Sequence, residues 1–296
     1  MLVHKNPQLL ARAIKVLSTD NSAFFIHVDK KSNIQDFSGI SGNNIFMIEE
    51  RTAVVWGEFS QVEATMGLIR RALSSAVPYD YFVFLQGSDY PLRSGRYVER
   101  FLEERRGYEF LSVVRMPAPG YQLSKINKVR YPSDKPIRRF ASRALAKMGL
   151  ARRDYKKYLG AIDAYAGQAW WTLSRDACKY IIEYTESNPH LADYLRNAFT
   201  ADEMYFHTIL GNSSFRSRLR PCLVFVDTTW SIADERRHKV KADHVRLFEA
   251  QENVRVDNQF GSGEVLFARK FSDDDLDLLD RIDAIIERKG GLGQHA

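Results

Sequence analysis

The chain has 296 residues, enough for a substantial buried core, and its 45% hydrophobic and 27% charged content is that of an ordinary globular protein. A net charge of +6 and a pI near 9.2 suit anionic ligands such as nucleotides, phosphates, acidic glycans or an anionic membrane face, and are too modest and too dispersed to argue for nucleic acid. No apolar run reads as a membrane span or a secretory leader, and the two cysteines, Cys178 and Cys222, sit in apolar stretches as buried thiols would, so a cytoplasmic protein is expected.

In chain order, MLVH reads as the tail of a strand, followed after Asn6-Pro7 by a helix whose Leu9, Leu10, Ala13, Ile14 and Leu17 share one face. Strands are expected at Ala23–Val28 and Asn44–Ile48, a helix at Ser60–Leu73 and a strand from Tyr81 to Leu85, read as buried on both faces. A helix follows at Arg96–Glu104 and a strand at Glu109–Val114. Strand and helix thus alternate over residues 1–115, the pattern of βαβ units and a mostly parallel sheet flanked by helices. The stretch 116–160 is basic and weakly periodic, and reads first as a solvated helical face. Beyond it come a strand at GQAWWTLS, a helix near Arg175–Ser187, a helix beginning near Thr200, and strands at Leu223–Val226 and Val265–Ala268. An acidic amphipathic helix from Ser272 to Arg288 ends the chain. A single domain is expected, with a nucleotide-binding half (1–115), an acceptor and catalytic half (116–271) and a C-terminal helix and tail (272–296).

Five places could carry chemistry. Asp89 lies just past the carboxyl end of the Tyr81 strand, where open α/β sheets bind ligands, although it could equally cap the next helix. Asp29 ends the second strand, where an acid can reach a ribose or a base. Thr200 and Glu203 have the spacing of a capping box, which the residues alone favour; the functional alternative for Glu203 is a general base beside aromatic groups. Trp170, Trp171 and Trp230 are candidate sugar platforms, but neighbouring tryptophans on a strand point to opposite faces, so only one of the first two can serve. In LFARKF, Arg269 and Lys270 need anionic partners, either a diphosphate or a structural carboxylate. No HExxH, paired CxxC, GxSxG or P-loop motif is present, and His4, His27 and His207 lack metal-ligand spacing.

Eight segments, taken in order, resemble the core-2/I-branching β-1,6-N-acetylglucosaminyltransferase family, which also contains the peptide O-xylosyltransferases. They are LVHKNP (2–7), FFIHVDKKS (24–32), VVWGEFSQVEA (54–64), YFVFLQGSDYPL (81–92), GQAWWTLSRDACKYI (167–181), TADEMYFHTIL (200–210), TTW (228–230) and LFARKF (266–271). The resemblance implies a modified GT-A-type α/β fold. It also implies an inverting, metal-independent transfer from a UDP-sugar, with GlcNAc favoured and xylose the other candidate, and no cofactor. A single Asp89, in place of the paired acids that usually grip a metal in nucleotide-sugar transferases, agrees with that. By the same resemblance Glu203 is the catalytic base, which reverses the capping reading. Val3, His4 and Asp29 match positions around the uridine, and Lys270 contacts the diphosphate with Arg246, or with Arg255 as the competing match. Trp230 lines the acceptor site, with Trp170, Lys128 and Arg130 as further acceptor contacts. Lys125 falls in the same basic stretch.

The cysteines and membrane anchor of the animal enzymes have no counterpart here, and the chain opens inside its first strand. It looks like a bacterial-type member acting on a surface polysaccharide or lipid-linked glycan precursor, with peripheral contact at the inner membrane face. The rival readings are a metal-dependent transferase, a catalytically degenerate glycan-binding or regulatory module on the same fold, and a basic membrane-surface scaffold.

Overall fold

The computed structural model describes residues 1–129, 153–227 and 239–291. Strand β1 (Leu2–Val3) pairs in parallel with β2 (Phe24–Val28), and β2 with β3 (Ile45–Met47). Strand β4 (Tyr81–Phe84) joins β1 through its continuation: the Leu2 amide donates to the Leu85 carbonyl (2.9 Å) and the Gly87 amide to the Leu2 carbonyl (3.0 Å). Next come β5 (Asp89–Pro91), β6 (Glu109–Arg115), β7 (Tyr165–Ser174), β8 (Leu219–Arg220) and β9 (Val224–Val226). The hairpin β10 (Arg255–Asn258) and β11 (Gly261–Glu264) precedes β12 (Phe267–Arg269). The main sheet therefore runs β3-β2-β1-β4-β7-β6-β8.

The α/β expectation of a mostly parallel sheet holds: among the described strands of the main sheet only β7 runs antiparallel to its neighbours, β4 and β6, while β6 and β8 are again parallel. Because β7 lies between two strands of residues 1–115, the two halves of the chain share one sheet. Gly167 in β7 lets the strands approach closely at the β6 irregularity between Leu111 and Val113, since a Cβ there would lie 1.7 Å from the Ser112 carbonyl oxygen. A second small sheet is ordered β5-β12-β9, with β12 antiparallel to β5 and parallel to β9.

Helices cover the sheet because their apolar faces need a partner. The Ser60–Leu73, Arg175–Ser187, Pro189–Leu195 and Tyr205–Gly211 helices pack one core with Phe84, Leu111 and Trp171. Residues of the Pro7–Leu17 and Gly95–Glu104 helices join a second core with Ile26, Val28 and Phe110. A third forms where the Ala242–Ala250 and Leu276–Gly291 helices meet β12 and Tyr90. Ser94 and Ser174 cap their helices by accepting the Tyr97 and Ala177 amides.

Strand β5 was not expected: Ser-Asp-Tyr-Pro reads as a turn, yet Asp89–Pro91 pairs along β12. The next helix is capped by Ser94, so Asp89 is not its cap. Nor is β4 buried on both faces, since Tyr81, Phe82 and Val83 are only half-buried. The hairpin β10–β11 and the Pro189–Leu195 and Ala242–Ala250 helices were likewise missed. Among the described residues no helix is long and apolar enough to cross a membrane.

Candidate active site

The carboxyl ends of β1, β2, β4 and β12 converge on one crest. The Asp29 amide donates to the Val3 carbonyl (2.8 Å), and the Phe271 amide to the Ser88 carbonyl (2.9 Å). Asn6 reaches from the end of β1 to the Gly87 carbonyl (3.0 Å). His4, Asp29, the Gln86–Ser88 turn and Lys270 therefore sit side by side, as ligand-binding residues do at the carboxyl edge of an open α/β sheet. Val3 is buried beneath them, with the Gly87 backbone close against it.

Asp29 is buried, and its Oδ1 accepts the Lys31 amide (2.9 Å) and, at longer range, the Val54 amide (3.4 Å). His27, one turn of the pleat earlier, accepts the Thr52 amide at Nε2 (2.8 Å), and burial pushes its pKa down. These bonds hold the 52–57 loop to the end of β2.

Asp89 does not face open space. Its side chain is fully buried, and its carboxylate lies 2.9 Å from the Arg269 guanidinium and accepts the Gln86 amide (2.7 Å). The two residues are direct cross-strand partners on β5 and β12. Burial raises the carboxyl pKa and Arg269 opposes that rise. Arg269 also donates to Gln86 Oε1 (2.9 Å) and lies 4.1 Å over the Trp170 ring. Of the two partners the sequence left open for the cations of LFARKF, Arg269 has taken the structural carboxylate. Lys270 follows it directly at the crest, through a cis peptide bond.

Trp171 is buried and stacks on Phe84 (5.2 Å between ring centroids), while Trp170 points the other way, as alternation requires. Trp170 lies under Arg269 and packs into the second core, so it is not an exposed sugar platform in this conformation. Arg246 is exposed on the Ala242–Ala250 helix and pairs with Asp243 (3.1 Å); Arg255 is exposed on the hairpin. Trp230 and Arg130 lie outside the described residues.

Glu203 ends a one-turn 3-10 helix, Ala201–Glu203, entered from Thr200 in the left-handed region (φ 55°, ψ 49°). The capping box is not formed, for Thr200 makes no side-chain cap and the following helix starts only at Tyr205. Glu203 is 29% exposed and lies 3.2 Å from the Lys125 ammonium, which also approaches the Tyr121 ring (4.7 Å). Tyr121 meets Phe260 at the hairpin tip, and burial together with the Glu203 charge raises its pKa. Lys128 is exposed one turn after Lys125. Asp202, next to Glu203, is half-buried with its carboxyl turned inward onto Gln61, and its pKa is pushed up to about 7, first by burial of the carboxyl and then by Glu203.

The 52–57 loop links the crest to the turn carrying Glu203. Val54 is held at Asp29, and the Gly57 carbonyl accepts the Thr200 amide (2.9 Å), so Asp29 and that turn are tied to points only two intervening residues apart. That limits the gap between the Val54 and Gly57 Cα atoms to about 11 Å. Trp56 projects from the loop, 65% exposed, with its edge on Phe199 (5.3 Å). Trp56 falls in the VVWGEFSQVEA segment, where the sequence alone assigns it no role; its exposure beside the turn carrying Glu203 is what marks it. A cavity of about 630 Å3 lined by Phe24, Phe25, Tyr81 and Val83 lies toward the amino ends of these strands, away from the crest.

The sequence pattern of the core-2/I-branching enzymes matches residues 1–252. The chain belongs to that family. It is similar to mouse N-acetyllactosaminide beta-1,6-N-acetylglucosaminyl-transferase, with 23% identity over 71% of this chain and 51% of the relative. It also resembles human beta-1,3-galactosyl-O-glycosyl-glycoprotein beta-1,6-N-acetylglucosaminyltransferase (22% identity, 71% of this chain, 47% of the relative). Chimpanzee (Pan troglodytes) xylosyltransferase 2 is 26% identical over 88% of this chain and 30% of its own length. The chain thus spans about half the length of the branching relatives, and less of the xylosyltransferase.

Proposed function

We propose that this family member is an inverting glycosyltransferase that moves a sugar from a UDP-sugar, GlcNAc in preference to xylose, to a hydroxyl of a glycan or lipid-linked glycan. The observation that carries the reading is the arrangement of charges: a strand-end crest bearing Asp29 and Lys270 is joined by the short 52–57 loop to a half-buried carboxylate, Glu203. Uridine lies along Val3, His4 and Asp29, and Lys270 neutralises the diphosphate together with Arg246 or Arg255. The acceptor approaches past Lys125, Lys128 and Trp56, with Trp230 and Arg130 as further contacts. Its hydroxyl oxygen attacks the anomeric carbon as the bond to the diphosphate oxygen breaks. The electron pair leaves with UDP and the hydroxyl proton passes to Glu203, giving a β-linked product.

Metal-independence is part of the proposal. What supports it is that the acid at the end of β4 is committed to Arg269, and that cations rather than further acids stand beside it. Two buried free thiols, Cys178 and Cys222, suit a cytoplasmic setting, with the acceptor presented at the inner membrane face.

The test is UDP release from UDP-GlcNAc, UDP-xylose, UDP-glucose and UDP-galactose with EDTA present, comparing wild type with Glu203→Gln. Turnover confined to one donor, indifferent to EDTA and lost in the variant is expected. Turnover abolished by EDTA removes the metal-free part, and full activity in Glu203→Gln removes the base.

A further inference from the structure

Glu203 sits on a turn that the chain does not hold in place by ordinary helix capping. Thr200 is a β-branched residue at positive φ, a strained conformation that persists only when the surroundings over-determine it. The surroundings here are a ring of three hydrogen bonds built around one side chain. Gln61, buried in the first turn of the Ser60–Leu73 helix, accepts the Gly57 amide at Oε1 (2.9 Å). Its Nε2 donates to Asp202 Oδ2 (3.2 Å). The Gly57 carbonyl closes the ring by accepting the Thr200 amide (2.9 Å).

A carboxamide suits the position because it offers an acceptor and a donor at once on a side chain long enough to reach both partners. A glutamate at 61 would lose the donor and set a second carboxylate against Asp202. A methionine would fill the space and lose both bonds. Successive residues of a 3-10 turn point about 120° apart, so holding Asp202 inward turns Glu203 outward toward Lys125.

We propose that Gln61 and Asp202 are the positioning residues of the Glu203 base: their hydrogen bond fixes the 200–203 turn, and through Gly57 it locks that turn to the Trp56 loop. The inference rests on the reading of Glu203 as the base. Its corollary concerns pH. The charged groups facing the Asp202 carboxyl are Glu203 on its own turn and Lys125 from the Leu123–Asn127 helix, while Gln61 faces it from the Ser60–Leu73 helix without charge. With the Asp202 carboxyl pushed up to about 7, its ionisation changes the field at Glu203 near neutral pH.

Three variants of the full chain test this: Gln61→Met, Asp202→Asn and, as the control on the underlying reading, Glu203→Gln. Hydrolysis of the UDP-sugar the wild type turns over, UDP binding by calorimetry and amide hydrogen exchange are measured on each. Gln61→Met is expected to lower kcat at least tenfold with the UDP Kd unchanged within twofold, and to speed exchange at Gly57, Thr200 and Glu203 together by tenfold or more. Asp202→Asn keeps an acceptor for Gln61 and, being neutral, stands in for the protonated carboxyl, so the ionisation near 7 should disappear from its pH profile. The inference is overturned if Gln61→Met leaves kcat or the three exchange rates unchanged. It is also overturned if that variant weakens UDP binding as much as it lowers kcat, or if Asp202→Asn keeps the wild-type pH profile. Full turnover in Glu203→Gln overturns the base reading and this inference with it. Loss there, with Gln61→Met unaffected, overturns the positioning role alone.

Discussion

The Asp89–Arg269 pair is the sharpest place to test the account of the crest. Both side chains are essentially out of solvent, 0% and 8% exposed, at 2.9 Å. With an effective dielectric of about 20 the attraction alone is about 6 kcal/mol, most of it offset by desolvation of the two ions. The net worth of the pair is thus small, but the cost of breaking it is not. Arg269→Met leaves a buried carboxylate with one amide donor from Gln86, and this should cost about 3–5 kcal/mol. For a slope of about 3 kcal/mol/M the urea midpoint falls by about 1 M or more. In the double variant Asp89→Asn/Arg269→Met the uncompensated charge is gone, so the two changes together should cost at least about 2 kcal/mol less than their sum. The pH dependence follows from the direction of the shift. Burial raises the Asp89 pKa above its ordinary 3.8, so this group's contribution is fully present below that value and is lost as pH rises through the folded pKa. Removing Arg269 takes away the main opposing influence, and the deficit of Arg269→Met should be larger at pH 7 than at pH 4. Equilibrium urea unfolding of the four proteins of the cycle measures all of this. Additivity within about 0.5 kcal/mol, or a single-variant cost under about 1 kcal/mol, would refute the reasoning.

Two further outcomes are expected. His207 is buried with its pKa lowered from 6.5 to about 4, and its Nε2 lies 2.9 Å from the Gln168 carbonyl. The unfolded chain takes up this proton first as pH falls, so about 3 kcal/mol of stability is lost between roughly pH 6.5 and 4; His207→Gln should flatten that part of a urea-midpoint titration, and an unchanged slope would refute the assignment. Gly57→Ala places a Cβ 2.5 Å from the Phe199 ring at φ +74°, which should cost about 1–2 kcal/mol in backbone conformation alone and shift the emission of Trp56; unchanged stability and emission would mean that the loop is not held as described.

Much of the frame was legible because periodicity and capping are local. The Pro7–Leu17 and Ser60–Leu73 helices and the Arg175–Ser187 helix have the bounds that their apolar spacing and punctuation indicate. What was hidden depends on partners distant in sequence. Asp89–Pro91 has the composition of a turn and becomes a strand only because β12, some 180 residues later, supplies its ladder. Thr200 and Glu203 match a capping box in spacing, but the Thr200 amide is drawn to Gly57 and the backbone turns left-handed instead. Arg246 matches the diphosphate role by its spacing from Lys270, but spacing says nothing of its surroundings, and in the structure its side chain is exposed and paired with Asp243. Trp170 looked like a platform on composition, and the cross-strand partner of Asp89 covers it.

The three acids that sequence and structure bring forward, Asp89, Asp202 and Glu203, separate by access rather than by type. A general base has to come within hydrogen-bond reach of the hydroxyl it deprotonates, directly or through one water. Asp89 is enclosed by Arg269 and Gln86, and Asp202 is turned inward onto Gln61, so an incoming hydroxyl meets neither. Glu203 alone of the three keeps an exposed carboxylate, and its contact is a half-exposed lysine whose flexible stem can yield to a substrate group. The same burial that disqualifies the other two makes them useful. Asp89 fixes the β12 end from which Lys270 leaves, and Asp202 fixes the turn on which Glu203 stands. The division predicts different failures: loss of Asp89 should weaken UDP binding through the crest, whereas loss of the Gln61–Asp202 bond should spare binding and slow the chemical step.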